Sequence, residues 1–164
     1  MFREMRRKNQ LLEHKEAIEI LETSTSGVLS LLGDNGYPYG VPLSFVYYDN
    51  KIYFHCAKEG HKLDAIKNYN KASFCIIEKD NVSPKEFTTH FRSIIAFGKV
   101  RIIEDEIEML KYIKILGKKY APNDDKGLED EIKKDFSRMK MIEFDIEHLT
   151  GKEAIELVKK RKSN

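Results

Sequence analysis

Two cysteines in 164 residues are too few for a disulfide framework, and Cys56 and Cys75 form no CxxC pair. Both lie in strand-like apolar runs, where a free thiol behaves as a small hydrophobe. A reducing cytoplasm is the expected setting. No apolar run approaches the roughly 20 residues of a membrane span. The first residues also lack the apolar core and small-residue cleavage site of a secretion signal. The expectation is therefore no membrane and no export. An excess of one charge is missing too: Lys plus Arg number 29 and Asp plus Glu 27, a formal net charge of +2. Dedicated nucleic-acid binders rest on a strong basic face, so that class is set aside. The one basic cluster, Arg3, Arg6, Arg7 and Lys8, has the charge to touch an anion but reads as a solvated arm over residues 1–10.

Signature motifs are equally scarce. His55 and Cys56 are neighbours on a strand, point to opposite faces and do not share a metal. His14, His61, His90 and His148 show no HxxxH or HxxEH spacing, which argues against zinc. There is no GxSxG elbow and no GxxxxGK[ST] loop, so hydrolysis by an activated serine and P-loop chemistry lack support. Repeats, low-complexity tracts and linkers are absent. The chain is expected to be a single domain over residues 1–164, with a C-terminal helix and tail over 151–164.

What is present alternates. Val28–Leu32 reads as a strand, followed by the turn signal Gly33-Asp34-Asn35-Gly36 and a strand over Tyr37–Tyr48. A tight turn at Asp49-Asn50 leads into Lys51–Cys56, which completes an antiparallel meander. Ala72–Glu78, Phe91–Ile103 and Lys140–Ile146 supply further strands, with a loop expected over Lys79–Glu86. Helical spacing marks Leu11–Leu21, Gly60–Asn70, a face of Ile107, Leu110, Ile113, Leu116 and Tyr120, a short helix through Leu128, Ile132 and Phe136, and Glu153–Lys160. About six antiparallel strands with helices around them predict a mainly β protein, a small β-barrel with peripheral helices, over a βαβ sheet. The first half of Phe91–Ile103 is apolar on both faces, which calls for cover on both sides and predicts a homodimer.

Chemistry concentrates in Tyr53–Leu63, where a strand passes through a short glycine-containing loop into a helix. A helix start carries unpaired N–H groups and a positive dipole end. Lys58, His61 and Lys62 nevertheless crowd that end, opposed only by Glu59. A bound phosphate would turn this conflict into a site; otherwise the long lysines simply bend into solvent. On the strand before it, one face reads Tyr39, Val41, Leu43, Phe45, Tyr47 and is core. The other reads Gly40, Pro42, Ser44, Val46, Tyr48 and begins small. Small side chains let a planar ligand approach the backbone, while an edge strand with a protective proline explains the same residues.

The run GYPYGVPLSFVYYDNKIYFHCAKEGHKLDAI, the later FRSIIAFGKV, the closing IEHLTGKEAIELV and the MRRK near the start together resemble one family. It is the nitroimidazole-resistance (Nim-like) branch of the pyridoxamine 5′-phosphate oxidase-like FMN-binding split-barrel superfamily, and the likeness spans nearly the whole chain. The resemblance implies FMN held by the meander, at a homodimer interface. It places Pro42, Leu43, Ser44 and Phe45 along the flavin ring and His55, Cys56 and Ala57 beside it. Lys58, His61 and Lys62 would hold the phosphate. Ser93 would approach from the long strand of the partner subunit, and His148 and Lys152 are further C-terminal contributors. The vitamin B6 oxidases carry an Arg and a Lys where this chain has Gly40 and Phe45, and a C-terminal Trp where this chain has none. That departure disfavours pyridoxamine phosphate oxidation. The expected activity is reduction of a small planar acceptor, a nitroaromatic such as a 5-nitroimidazole, with NADH or NADPH as the candidate donor. His55 is the candidate for tuning the flavin or donating a proton, since imidazole titrates near neutrality; a packed or flavin-stacking strand residue is the other reading of it. A non-catalytic flavin store or sensor is the alternative, followed by a related barrel binding haem or a deazaflavin.

Overall fold

In the computed structural model, which describes residues 1–163, the apolar runs form seven strands of one sheet: β1 (Ser26–Leu32), β2 (Pro38–Ser44), β3 (Val46–Tyr48), β4 (Lys51–Ala57), β5 (Lys71–Ser83), β6 (Thr88–Ile103) and β7 (Met139–Glu153). All neighbours are antiparallel, in the order β2-β1-β5-β6-β7-β4-β3. The two ends of that order are consecutive in the chain, because only Phe45 separates β2 from β3. One run of backbone thus supplies both edges, and the sheet must curl until they meet. The result is the expected barrel with peripheral helices: α1 (His14–Thr23), α2 (His61–Asn68), α3 (Glu106–Tyr120), α4 (Asp125–Asp135) and α5 (Ile155–Lys162).

Seven strands replace about six because the expected single strand Tyr37–Tyr48 breaks at Phe45. The Phe45 ring is fully buried, with its edge against Phe74 at 5.0 Å, and Lys119 Nζ lies 4.1 Å from its centroid. Its backbone leaves both ladders and is caught by Tyr120 instead. The Phe45 N–H donates to the Tyr120 hydroxyl at 2.9 Å, and that hydroxyl can donate onward to the carbonyl of Phe45 or of Thr25. Tyr120→Phe removes the acceptor of a buried N–H, which costs about 1–2 kcal/mol. The expected result is a lower urea midpoint with an unchanged slope.

Inside the barrel Phe45, Phe54, Phe74, Ile94, Ala96 and Phe144 pack without solvent, closed at the ends by Ile20 and Leu21 of α1 and Leu63 and Ile66 of α2. A second cluster lies outside, where α3 covers Val46, Tyr53, Ile103 and Met141. Here the helix face differs from expectation. Met109, Ile113 and Leu116 are buried, whereas Ile107 is 81% exposed and Leu110 lies at the surface. Asp105 caps the helix by accepting the Glu108 N–H at 2.7 Å and so fixes where it starts. At about 100° per residue, Ile107 then lies about 120° around from Ile113.

Other boundaries moved for local reasons. α1 begins at His14, not Leu11, because Glu13 and Glu16 form a capping box, while the Leu12 N–H donates to the Gly151 carbonyl at 3.0 Å. The expected loop Lys79–Glu86 is mostly strand: β5 continues past a register shift between Ile77 and Lys79, and only Pro84–Glu86 forms the turn. Its Lys, Asp and Asn residues sit on an exposed ribbon with no apolar face to mark it. β6 is not buried twice within one chain. Ile94, Ala96, Gly98 and Val100 point inward, but Ile95 and Phe97 are each 40% exposed on the outer face.

Candidate functional site

β3 and β4 pair only from Tyr48↔Lys51 to Val46↔Tyr53. Beyond that point β2 bonds to β1, and β4 bonds to β7 as far as Ala57↔Met139. The barrel is therefore split along a seam with Pro42–Ser44 on one side and His55–Ala57 on the other. Facing edges along this seam share no ladder, and Pro42 has no N–H to offer. Pro42, Ser44, His55 and Ala57 are exposed, while Leu43 and Cys56 turn toward the barrel core. The Phe45 side chain is wholly inside and has no face free to lie along a ligand. Gly40 keeps the outward side of β2 low: a Cβ there would meet only Val28 Cγ1, at 3.3 Å.

At the end of the seam β4 passes through Lys58-Glu59-Gly60 into α2. Gly60 has φ 136°, a conformation that favours glycine, and its carbonyl accepts from the N–H groups of Leu63 (2.9 Å) and Asp64 (3.3 Å). The first-turn N–H groups of His61 and Lys62 have no acceptor within the helix. A cleft of about 190 Å³ opens here between Tyr39, Cys56 and Ala57 and the turn from Glu59 to Leu63. Lys62 reaches the end of β4. Although His55 reaches solvent at the seam, desolvation by the strands packed around the ring first, and Lys62 second, hold its imidazole below the usual value and favour the neutral form. Burial pushes the Cys56 thiol up against the same lysine, which disfavours a thiolate there. Lys58 is exposed and makes no ion pair among the described residues.

Asp34 and Tyr39 were missed by the sequence reading. The Tyr39 ring stacks on His61 with centroids 4.1 Å apart, and Asp34 Oδ2 lies 3.5 Å from His61 Nε2. Gly33-Asp34-Asn35-Gly36 was legible as a turn and Tyr39 as a core residue. Neither reading says that the β1–β2 turn lands on the start of α2.

Ser93 does not join the seam within one chain. It pairs with Ile77 on β5 and Lys152 on β7, three strands from β2 and so about 14 Å away across the sheet. It belongs to the outer face, where one row runs Pro42–Val28–Cys75–Ile95–Thr150 and the next Gly40–Ser30–Ser73–Phe97–His148. The N-terminal arm is not simply solvated. Phe2 stacks on His148 with centroids 4.6 Å apart and leans against Phe97 at 5.7 Å, and Gln10 is buried. Among the described residues no helix is long and apolar enough to cross a membrane. Nor does any group of three His, Cys, Asp or Glu side chains gather as a metal site among them.

Comparison with known proteins agrees with this architecture. A structure of a candidate 5-nitroimidazole antibiotic resistance protein from Bacteroides thetaiotaomicron matches with a TM-score of 0.70 at 20% identity, covering 87% of this chain and 85% of that one. An FAD and heme binding protein from Mycobacterium smegmatis matches with a TM-score of 0.74 at 19% identity, over 90% of this chain and 74% of that one. An FAD-binding protein from Mesorhizobium loti matches with a TM-score of 0.64 at 19% identity, over 88% and 97%. At these identities the likeness is one of fold. No curated protein matches. The family model described as pyridoxamine 5′-phosphate oxidase matches residues 13–153, most of the chain. This chain, with its split antiparallel barrel, therefore belongs to the pyridoxamine 5′-phosphate oxidase family.

Proposed function

We propose that the protein is a flavoprotein that binds FMN along the seam and uses it to reduce a small planar acceptor of the nitroaromatic class. The observation that carries this reading is the corner at the end of β4. His61, Lys62 and the unpaired N–H groups of the α2 start face one cleft, next to a strip of backbone kept low by Gly40, Pro42 and Ser44. Such a corner suits a phosphate, and the low strip with free backbone groups suits the polar edge of a flat heterocycle. The residues present fit the group. Two of the proteins named above share this fold and are FAD-binding by name, and the flavin released from this protein identifies which it carries.

When bound, the flavin supplies the electron-transfer chemistry. The chain's own residues do the rest. His61 and Lys62 neutralise the phosphate, and Pro42, Leu43 and Ser44 form the wall beside the ring through backbone and outward atoms. His55, at the seam with its neutral form favoured, has an N–H to offer as a hydrogen bond to a ring edge or to the acceptor, which suits tuning the flavin better than supplying a proton. Gly40 and Phe45 stand where a vitamin B6 oxidase would present cations, so a phosphorylated pyridoxamine finds no partner there.

A second copy of the chain completes this site. The outer face of β5–β6–β7 presents Ile77, Ile95 and Phe97 to solvent, and Ser93 and Lys152 sit among them. Packed on a partner, that face brings Ser93 of one protomer to the seam of the other, with the flavin between them. Sedimentation is expected to show a dimer at micromolar concentration; a monomer refutes this part.

The whole reading is tested anaerobically. Holoprotein mixed with NADH or NADPH should lose its flavin absorbance and regain it when a nitroimidazole is added. Tight FMN binding with no bleaching by either donor, and no nitro-compound turnover after dithionite reduction, leaves a store or sensor. A Soret band in place of flavin absorbance overturns the cofactor itself.

A further inference from the structure

We infer that Asp34 and Tyr39, on the β1–β2 turn, are positioning residues that hold His61 ready for an anion. The inference rests on the flavin reading for its ligand, but not for its geometry.

His61 is the first residue of α2 and follows a glycine in an open conformation, so nothing in its own helix fixes the ring. The β1–β2 turn does. Gly33 N–H donates to the Tyr37 carbonyl at 2.8 Å and Tyr37 N–H to the Asp34 carbonyl at 3.2 Å, while Asn35 (φ 57°) and Gly36 (φ 78°) take the left-handed conformation that closes the turn. This delivers Asp34 to one edge of the imidazole and Tyr39 to its face. Gly33 is what allows the approach: a Cβ there would stand 3.0 Å from Tyr39 Cβ and 3.4 Å from His61 Cε1. With Nε2–H turned to the Asp34 carboxylate, Nδ1 is the nitrogen left for a phosphate oxygen, and it donates to that oxygen when the ring takes up a second proton as the anion binds.

The charges make the arrangement testable. A carboxylate beside an anion site is unfavourable unless a cation or N–H stands between them. Asp34 therefore helps phosphate binding only through His61, and hinders it once His61 is gone. His61 is partly and Asp34 mostly exposed, so the coupling is modest.

The test is a double-mutant cycle read with FMN and with riboflavin, which lacks the phosphate. Asp34→Asn should weaken FMN binding about threefold in the wild-type background. In the His61→Ala background the same change should strengthen it, about twofold, by removing a repelling charge. Tyr39→Leu should weaken FMN binding and Tyr39→Phe should restore it, since the ring and not the hydroxyl makes the stack. Riboflavin affinity should stay put throughout. In flavin-free protein, 1H–15N spectra should show His61 protonated at Nε2, a preference lost in Asp34→Asn, and a ring-current shift lost in Tyr39→Leu. Equal losses from Asp34→Asn in both backgrounds, or equal losses for riboflavin, overturn the inference. A wild-type protein that binds no flavin overturns the flavin reading instead. Inorganic phosphate titrated against the same His61 signals then decides the clamp, and a response unchanged by Asp34→Asn and Tyr39→Leu refutes it.

Discussion

The His61→Ala, Lys62→Ala double variant is expected to bind FMN about 100-fold more weakly than the wild-type protein, with riboflavin affinity nearly unchanged. Each side chain offers a charge-assisted hydrogen bond to the phosphate, worth roughly 1.5–3 kcal/mol. The corner is open to water, so the lower end applies and the pair supplies about 3 kcal/mol, or two decades of affinity. Neither residue holds the fold together. α2 is anchored by Leu63, Ala65 and Ile66, whereas His61 is exposed and Lys62 half-buried. In the flavin-free protein the sign reverses, because the Lys62 cation leaves the positive end of a helix dipole, a gain of about 0.3–1 kcal/mol at an exposed site. Opposite movements of stability and affinity separate a binding corner from a structural one. Fluorescence titration against both flavins, with thermal unfolding of the apoprotein, reads the two quantities. FMN affinity equal to wild type refutes the assignment of the corner.

How far the site was legible depends on sequence distance. His55, Cys56, Ala57, Lys58, His61 and Lys62 lie within one strand-to-helix passage, so periodicity alone places them side by side. The β1–β2–β4 meander is similarly local, and its turns carry the expected Gly, Asp and Asn. Phe45 shows where this stops. It is apolar and in phase with its neighbours, and nothing near it announces a break. The break exists because Tyr120, on a distant helix, holds its backbone. Asp34 reaches His61 for a comparable reason, through the curl of a closed sheet that no local pattern encodes. The face of α3 differs from expectation because the apolar residues Ile107 to Tyr120 span more than one face of the helix. Contact with the distant strands β3, β4, β6 and β7, not the local pattern, selects the face of Met109, Ile113 and Leu116. Ser93 is a different case, since within one chain it lies three strands from the seam, and only the proposed second copy would bring it there.

Gly98→Ala is expected to destabilise the protein by about 3 kcal/mol or more, lowering the melting temperature by roughly 6–12 °C for a chain of this size. Along β6 and β7 the register shifts at this residue: Phe97 faces His148, but Gly98 faces Ile146, so Glu147 is left over as a bulge. The bulge presses the β7 backbone onto Gly98. A Cβ there would overlap the Asp145 carbonyl oxygen, with the fully buried Phe144 ring at 2.9 Å and the Asp145 carbonyl carbon at 3.0 Å. Overpacking against movable side chains costs about 1–3 kcal/mol. Here the obstacle is backbone held in a ladder, and it cannot retreat without breaking the pairing on both sides. Gly40→Ala is the control, because its new methyl would meet one flexible Val28 methyl at 3.3 Å, and its melting temperature should stay near wild type. A bulge also adds local twist, and these two strands must coil if β2 and β3 are to meet at the seam. The glycine that tolerates the bulge therefore lets the barrel close, and closure sets the width of the seam proposed to hold the flavin. Should Gly98→Ala melt like the wild-type protein, the β7 backbone is free to move at the bulge, and this link between bulge and seam is lost.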